Sequence, residues 1–198
     1  MGGTFNPIHI GHLLLAEWAM DTEGLDEVWF IPTGFSYMKQ HQYHVSAEER
    51  FHMTSLAIHD NDRMKCLDIE VKRDGYTYTY ETLLELRRQY PDYHFYFIYG
   101  ADCLFSIEKW KYPERILANC TMIAATRGDA CTEEMSNKIA ELKDKYQADI
   151  KLLPFMQLGV SSTEIRERIK NKRSIKYLVP YEVITYIEEK GFYRDENN

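Results

Sequence analysis

Short apolar runs alternate with amphipathic helical stretches along most of this chain, and that alternation constrains its fold more than any other feature. Glu27-Val28-Trp29-Phe30-Ile31 reads as a buried strand ending at Pro32, and Cys66 to Val71 alternates as a half-exposed strand does. His94 to Tyr99, Thr121 to Ala125 and Ile150 to Leu153 are further short apolar segments of strand length. Between them lie helical patterns: Leu13 to Met20, Ala47 to Ile58 after a Ser46-x-x-Glu49 capping signal, Glu81 to Tyr90, and Thr132 to Tyr146. Strand and helix in turn, joined by short links, predict a parallel sheet covered on both faces, the doubly wound α/β class. Near the end, Ser161 to Lys172 and Pro180 to Lys190 read as two helices, the latter with Pro in its first turn and Gly191 just beyond. With no repeat or linker in view, residues 1–198 are expected to form one domain, with a small helical C-terminal appendage from about residue 160.

A chain of 198 residues is long enough for one domain with a full-sized core. No apolar run approaches the ~18 residues of a membrane span, and MGGTFNPIHIGH has no cationic segment leading into an apolar one. A cytoplasmic protein is the expectation. The net charge of −7 speaks against a nucleic-acid partner, so positive groups needed for an anionic ligand must gather locally. Four scattered cysteines without Cys-x-x-Cys spacing point to reduced core thiols, not to zinc or disulfides.

The segment richest in chemistry is Gly2-Gly3-Thr4-Phe5-Asn6-Pro7-Ile8-His9-Ile10-Gly11-His12, which runs straight into a helical pattern. Paired glycines let backbone N–H groups approach a phosphate with no side chain in the way. The helix that follows adds unpaired donors and a partial positive charge. His9 and His12, with Gly11 between them, can both address one phosphate, where such donors meet the charge that develops during in-line attack. Near the other end, Ser161 with Glu164 fits a capping box; Ser162 and Thr163 add hydroxyls at that helix start, and Arg166 lies one turn on.

The first segment resembles the G-G-T-F-x-P-x-H-x-G-H signature of HxGH-type nucleotidyltransferases, specifically the bacterial nicotinate-mononucleotide adenylyltransferases. Gly159-Val160-Ser161-Ser162-Thr163-Glu164-Ile165-Arg166 is similar to the family's I-S-S-T-x-I-R motif. Gly100-Ala101-Asp102 resembles its G-A-D, and Gly75 to Thr82 its G-x-S-Y-T-x-D-T, with Glu81 in place of Asp. Lys109-Trp110 and Arg127 also fall in matching order.

The resemblance implies a Rossmann-like nucleotidyltransferase fold and transfer of AMP from ATP to nicotinate mononucleotide, releasing pyrophosphate. It implies catalytic roles for His9, His12, Lys39 and Arg166. ATP would be held by Gly3, Thr4, Phe5, His9, His12, Gly100, Asp102, Arg127, Ser161, Ser162, Thr163 and Arg166. Nicotinate mononucleotide would meet Gly3, Thr4, Lys39, Thr79 and Trp110. Mg²⁺ would be held mainly by phosphates and water, with no protein metal site. The expected partners are the two nucleotides, with neither nucleic acid nor membrane, and with homo-oligomerisation left open.

Two departures stand out. Family members carry a hydrophobic strand just before Gly-Gly-Thr-Phe, whereas this sequence opens on the loop, so a first strand is expected to be missing from it. Ser36, Tyr37 and Met38 replace the Pro, Pro and His of a family P-x-x-x-P-P-H-K segment, while Lys39 keeps its place. A related transferase acting on nicotinamide mononucleotide, a flavin mononucleotide or phosphopantetheine stays open, as does a non-catalytic nucleotide sensor. Class I aminoacyl-tRNA synthetases share the literal His-x-Gly-His string. They also need a K-M-S-K-S-like loop and a tRNA-binding extension, which this sequence lacks.

Overall fold

A computed structural model describes residues 1–36, 45–127, 132–156 and 158–194. Its elements in chain order are β1 (Gly2–Gly3), α1 (Ile10–Glu23), β2 (Val28–Pro32), β3 (Phe35–Ser36), α2 (Ala47–Ile58), β4 (Met64–Cys66), β5 (Tyr76–Thr77), α3 (Thr79–Gln89), β6 (Tyr96–Gly100), α4 (Pro113–Leu117), β7 (Thr121–Arg127), α5 (Glu133–Tyr146), β8 (Ile150–Phe155), α6 (Ser162–Lys170) and α7 (Tyr181–Lys190). This is a mixed α/β protein with parallel sheets. It divides into two compact units, Met1–Gly2 with Thr77–Gln157 and Gly3–Tyr76 with Leu158–Asn198.

The first unit is built on the parallel order β6-β7-β8, with Ile98 opposite Ile123 and Ala124 opposite Leu152. Central β7 buries Met122, Ile123 and Ala124, so it reads as an unbroken apolar run. Leu83 of α3, Ile116 of α4 and Leu142 of α5 complete that core. Past the end of β6 the chain makes two 3₁₀ turns, Ala101–Phe105 and Ile107–Lys109. Glu108 ties the second turn to α5, accepting from Lys145 at 2.7 Å and Tyr146 at 3.1 Å as well as from Lys138. Those donors hold its carboxyl down at about 2.

The second unit carries β2 beside β4, with Val28 opposite Met64 and Phe30 opposite Cys66 in parallel register. Its helices obey their local signals. Ser46 caps α2 by accepting from Glu49 N–H at 3.2 Å, and Ser161 caps α6 from Glu164 N–H at 3.1 Å. Gly24 and Gly191 close α1 and α7 at φ 65° and 68°, the left-handed region where glycine has no steric cost. α7 lies on α2, with the His52 and Tyr186 rings 4.5 Å apart and the Tyr186 hydroxyl on Glu49.

The structure corrects some expected boundaries. The strand expected over Cys66–Val71 ends at Cys66, because Lys72 N–H turns back to Asp68 O at 2.9 Å and the Asp68–Lys72 ion pair closes the turn. α1 begins at Ile10 and so takes in Gly11 and His12, ahead of the expected start at Leu13. Pro180 stands at the N-cap of α7, before the first turn. Among the described residues Cys66, Cys103 and Cys120 are free thiols, and no helix is long and apolar enough to cross a membrane.

Candidate active site

Residues 3–9 lead from β1 into α1. A Cβ on Gly3 would lie 2.8 Å from the Phe5 ring, so the close turn requires glycine there. Phe5 is buried at φ 48°, an uncommon conformation for an aromatic residue, and its ring meets His12 edge-on at 5.0 Å. The rings of His9 and His12 stack at 3.7 Å. Gly11 makes that stack possible, because a Cβ there would lie 3.1 Å from His9 Nδ1.

The hydrogen bonds settle one tautomer. His9 N–H donates to His12 Nδ1 at 3.2 Å, so Nδ1 is an acceptor and the His12 proton sits on Nε2 as a donor. His9 Nδ1 is buried with no partner among the described residues. Burial pushes both imidazoles below their ordinary value, His9 to about 4 and His12 to about 3, with the neighbouring His9 adding to the second shift. In the free protein at neutral pH both rings are therefore uncharged hydrogen-bonding groups.

Three of the loop's carbonyls are held by side-chain donors. Arg50 of α2 donates to Thr4 O and Thr33 O, both at 2.6 Å. Arg166 of α6 donates to Asn6 O at 2.8 Å and to Thr163 Oγ1 at 3.2 Å. Ser162 Oγ donates to Pro7 O at 2.8 Å, and the Tyr193 hydroxyl donates to Asn6 Oδ1 at 2.6 Å. The two sequence segments read as phosphate-binding, about one end of the chain and the other, thus meet within one unit. His9, His12, Gly3, Thr4, Phe5, Ser161, Ser162, Thr163 and Arg166 all belong to it.

Sequence reasoning missed Asn6, Arg50 and Tyr193. Arg50 is 1% exposed. The one available hint was the rule that a buried charge needs partners, and the sequence shows no partners because they are backbone oxygens.

The remaining expected residues lie elsewhere. Gly100, Asp102, Thr79, Trp110 and Arg127 belong to the first unit. Gly100 ends β6 with open space where a Cβ would be, and Asp102 is exposed in the 3₁₀ turn just beyond, at the carboxyl end of a parallel strand. Thr79 is half-buried at the start of α3. Trp110 meets Phe97 edge-on at 6.2 Å, and its indole N–H is buried with no partner among the described residues. Arg127 closes β7 opposite Phe155. Lys39, with Tyr37 and Met38, lies outside the described residues.

A glycine turn and histidine pair leading into a helix on a parallel α/β frame define a class, and the chain belongs to the cytidylyltransferase-like family, matched over residues 1–168. Within that class its curated relatives carry a narrower name. A protein of Lachnoclostridium phytofermentans named "Probable nicotinate-nucleotide adenylyltransferase" is 47% identical over 193 residues, covering 98% of this chain and 96% of that protein. One of the same name from Clostridium botulinum is 38% identical over 196 residues, covering 99% and 97%. The solved Plasmodium falciparum nicotinic acid mononucleotide adenylyltransferase complexed with NaAD superposes with a TM-score of 0.78 at 21% identity, over 97% of this chain and 94% of that one. At that identity the likeness speaks to the fold.

Proposed function

We propose that this chain transfers the adenylyl group of ATP to the 5′-phosphate of nicotinate mononucleotide, giving nicotinate adenine dinucleotide and pyrophosphate. The observation that carries the reading is the stacked His9–His12 pair on a loop whose Thr4, Asn6 and Pro7 carbonyls are held by Arg50, Arg166 and Ser162. The extent of identity to relatives of that name supports the choice of acceptor.

In this mechanism a phosphate oxygen of the mononucleotide attacks the α-phosphorus in line, the P–O bond to the β-phosphate breaks, and pyrophosphate leaves with its electron pair. The attacking group is already an anion, so no general base is needed, and the protein's contribution is positioning and charge stabilisation. His12 presents its Nε2–H donor, His9 supplies the second ring, and Arg166 adds a fixed positive charge beside the loop. Lys39, Thr79 and Trp110 are assigned to the mononucleotide, and Gly100, Asp102 and Arg127 to ATP. Mg²⁺ accompanying ATP would take its oxygens mainly from phosphates and water.

The test is pyrophosphate release from ATP and Mg²⁺ with nicotinate mononucleotide, nicotinamide mononucleotide or phosphopantetheine as acceptor. The expected result is strong preference for the first, abolished by His12→Ala. Preference for another acceptor would overturn the substrate assignment, and ATP binding without turnover would favour a sensor.

A further inference from the structure

We propose that Tyr193 and Arg50 are positioning residues of the phosphate loop, holding Phe5 from both sides and through its ring setting His12. The inference rests on the proposed reaction for its kinetic arm only.

Phe5 sits between two pinned residues. On one side Arg50 takes Thr4 O; on the other Tyr193 takes the side chain of Asn6, which is 4% exposed. A peptide unit is planar, so fixing Thr4 O also fixes the direction of Phe5 N–H on the opposite side of that unit. The left-handed conformation of Phe5 is one that L residues leave unless their surroundings over-determine it. Two pins flanking it supply that over-determination. The Phe5 ring is in edge contact with His12, so its backbone conformation and the imidazole's place are coupled by direct packing.

The two pins come from parts of the chain far apart in sequence, yet they are linked. Arg50 lies on α2 beside Glu49, and Glu49 accepts the Tyr186 hydroxyl and pairs with Lys190 at 3.5 Å, both on α7. α7 then ends at Gly191, and Tyr193, at φ 63°, turns its hydroxyl onto Asn6. Burial raises the Tyr193 hydroxyl above its ordinary value, so it remains a protonated donor throughout the neutral range. The C-terminal segment is thereby built into the loop's support, and deleting one oxygen from it should be felt at the histidines.

Tyr193→Phe removes only that oxygen. With ¹³C-labelled histidine, the His9 and His12 Cε1–H resonances, assigned with His9→Gln and His12→Asn, should move on this substitution while those of His59 and His94 stay. In turnover, kcat should fall about tenfold, well within the ~100-fold that a 1 Å misplacement can cost, with KM for ATP changed less than threefold. Arg50→Lys should restore part of the activity and resonance positions lost in Arg50→Met. Unmoved His9 and His12 resonances in folded Tyr193→Phe would overturn the proposal, as would a lowered melting temperature with kcat unchanged. If the wild type turns over no acceptor, the resonance arm still decides, so failure of the proposed reaction is distinguishable from failure of this inference.

Discussion

His9 and His12 were legible as a pair because a helix start with glycine between two histidines leaves them little else to do. Their protonation was not, since it depends on a burial that no local spacing reveals. That burial makes a pH prediction. In the unfolded chain both rings take up protons as pH falls through about 6.5, whereas in the folded chain they resist until about 4 and 3. The unfolded state therefore binds more protons in that window, and stability falls as pH is lowered from 6.5 toward 4. Each ring can contribute at most about 1.4 kcal/mol per pH unit. His12→Asn keeps an acceptor for His9 N–H but does not titrate. Urea unfolding at pH 7 and pH 5 should show a smaller loss of stability in this variant than in the wild type. Equal losses would mean that His12 is not desolvated in the folded protein.

Among the elements, those with explicit end signals were placed well. α2 has the expected bounds, Ala47 and Ile58, because Ser46 marks its start. Elements without such signals were missed or overrun: β3 and β5 are two residues each, too short for a period to show, and β4 stops where a turn forms at Asp68. α1 starts at Ile10, three residues ahead of the expected Leu13, so that Gly11 and His12 fall in its first turn. α6 combines structural and functional signals, which can be separated. Ser161 caps the helix, whereas Ser162 reaches the loop at Pro7 O. Ser161→Ala should cost about 1 kcal/mol of stability with kcat nearly unchanged. Chemical denaturation and turnover of the same preparation check it, and a large fall in kcat at full folding would place Ser161 on the substrate instead.

For the whole molecule, the alternation of strand and helix patterns pointed to the α/β class, but not to the division into two units, which emerges from contacts between residues far apart in sequence. The phosphate loop, α6 and α7 converge because Asn6 and Pro7 are bonded to Arg166, Ser162 and Tyr193, pairings across most of the chain's length that no periodicity displays. The residues assigned to the nicotinyl group, Thr79 and Trp110, belong to the other unit. Trp110 offers the cleanest test. A buried donor left without a partner costs roughly 1–3 kcal/mol, so an indole kept in that state in the free protein suggests a use for it when substrate is present. Trp110→Phe keeps an aromatic ring against Phe97 and deletes the N–H. Stability should be unchanged or slightly raised, since an unsatisfied group has been removed. If the indole serves the nicotinyl group, KM for nicotinate mononucleotide should rise about tenfold, the equivalent of ~1.4 kcal/mol, while KM for ATP stays within a factor of two. A melting curve and the two KM values from one preparation settle the matter: an unchanged acceptor KM returns Trp110 to the core, and parallel rises in both constants mean that the substitution disturbed the phosphate site as well.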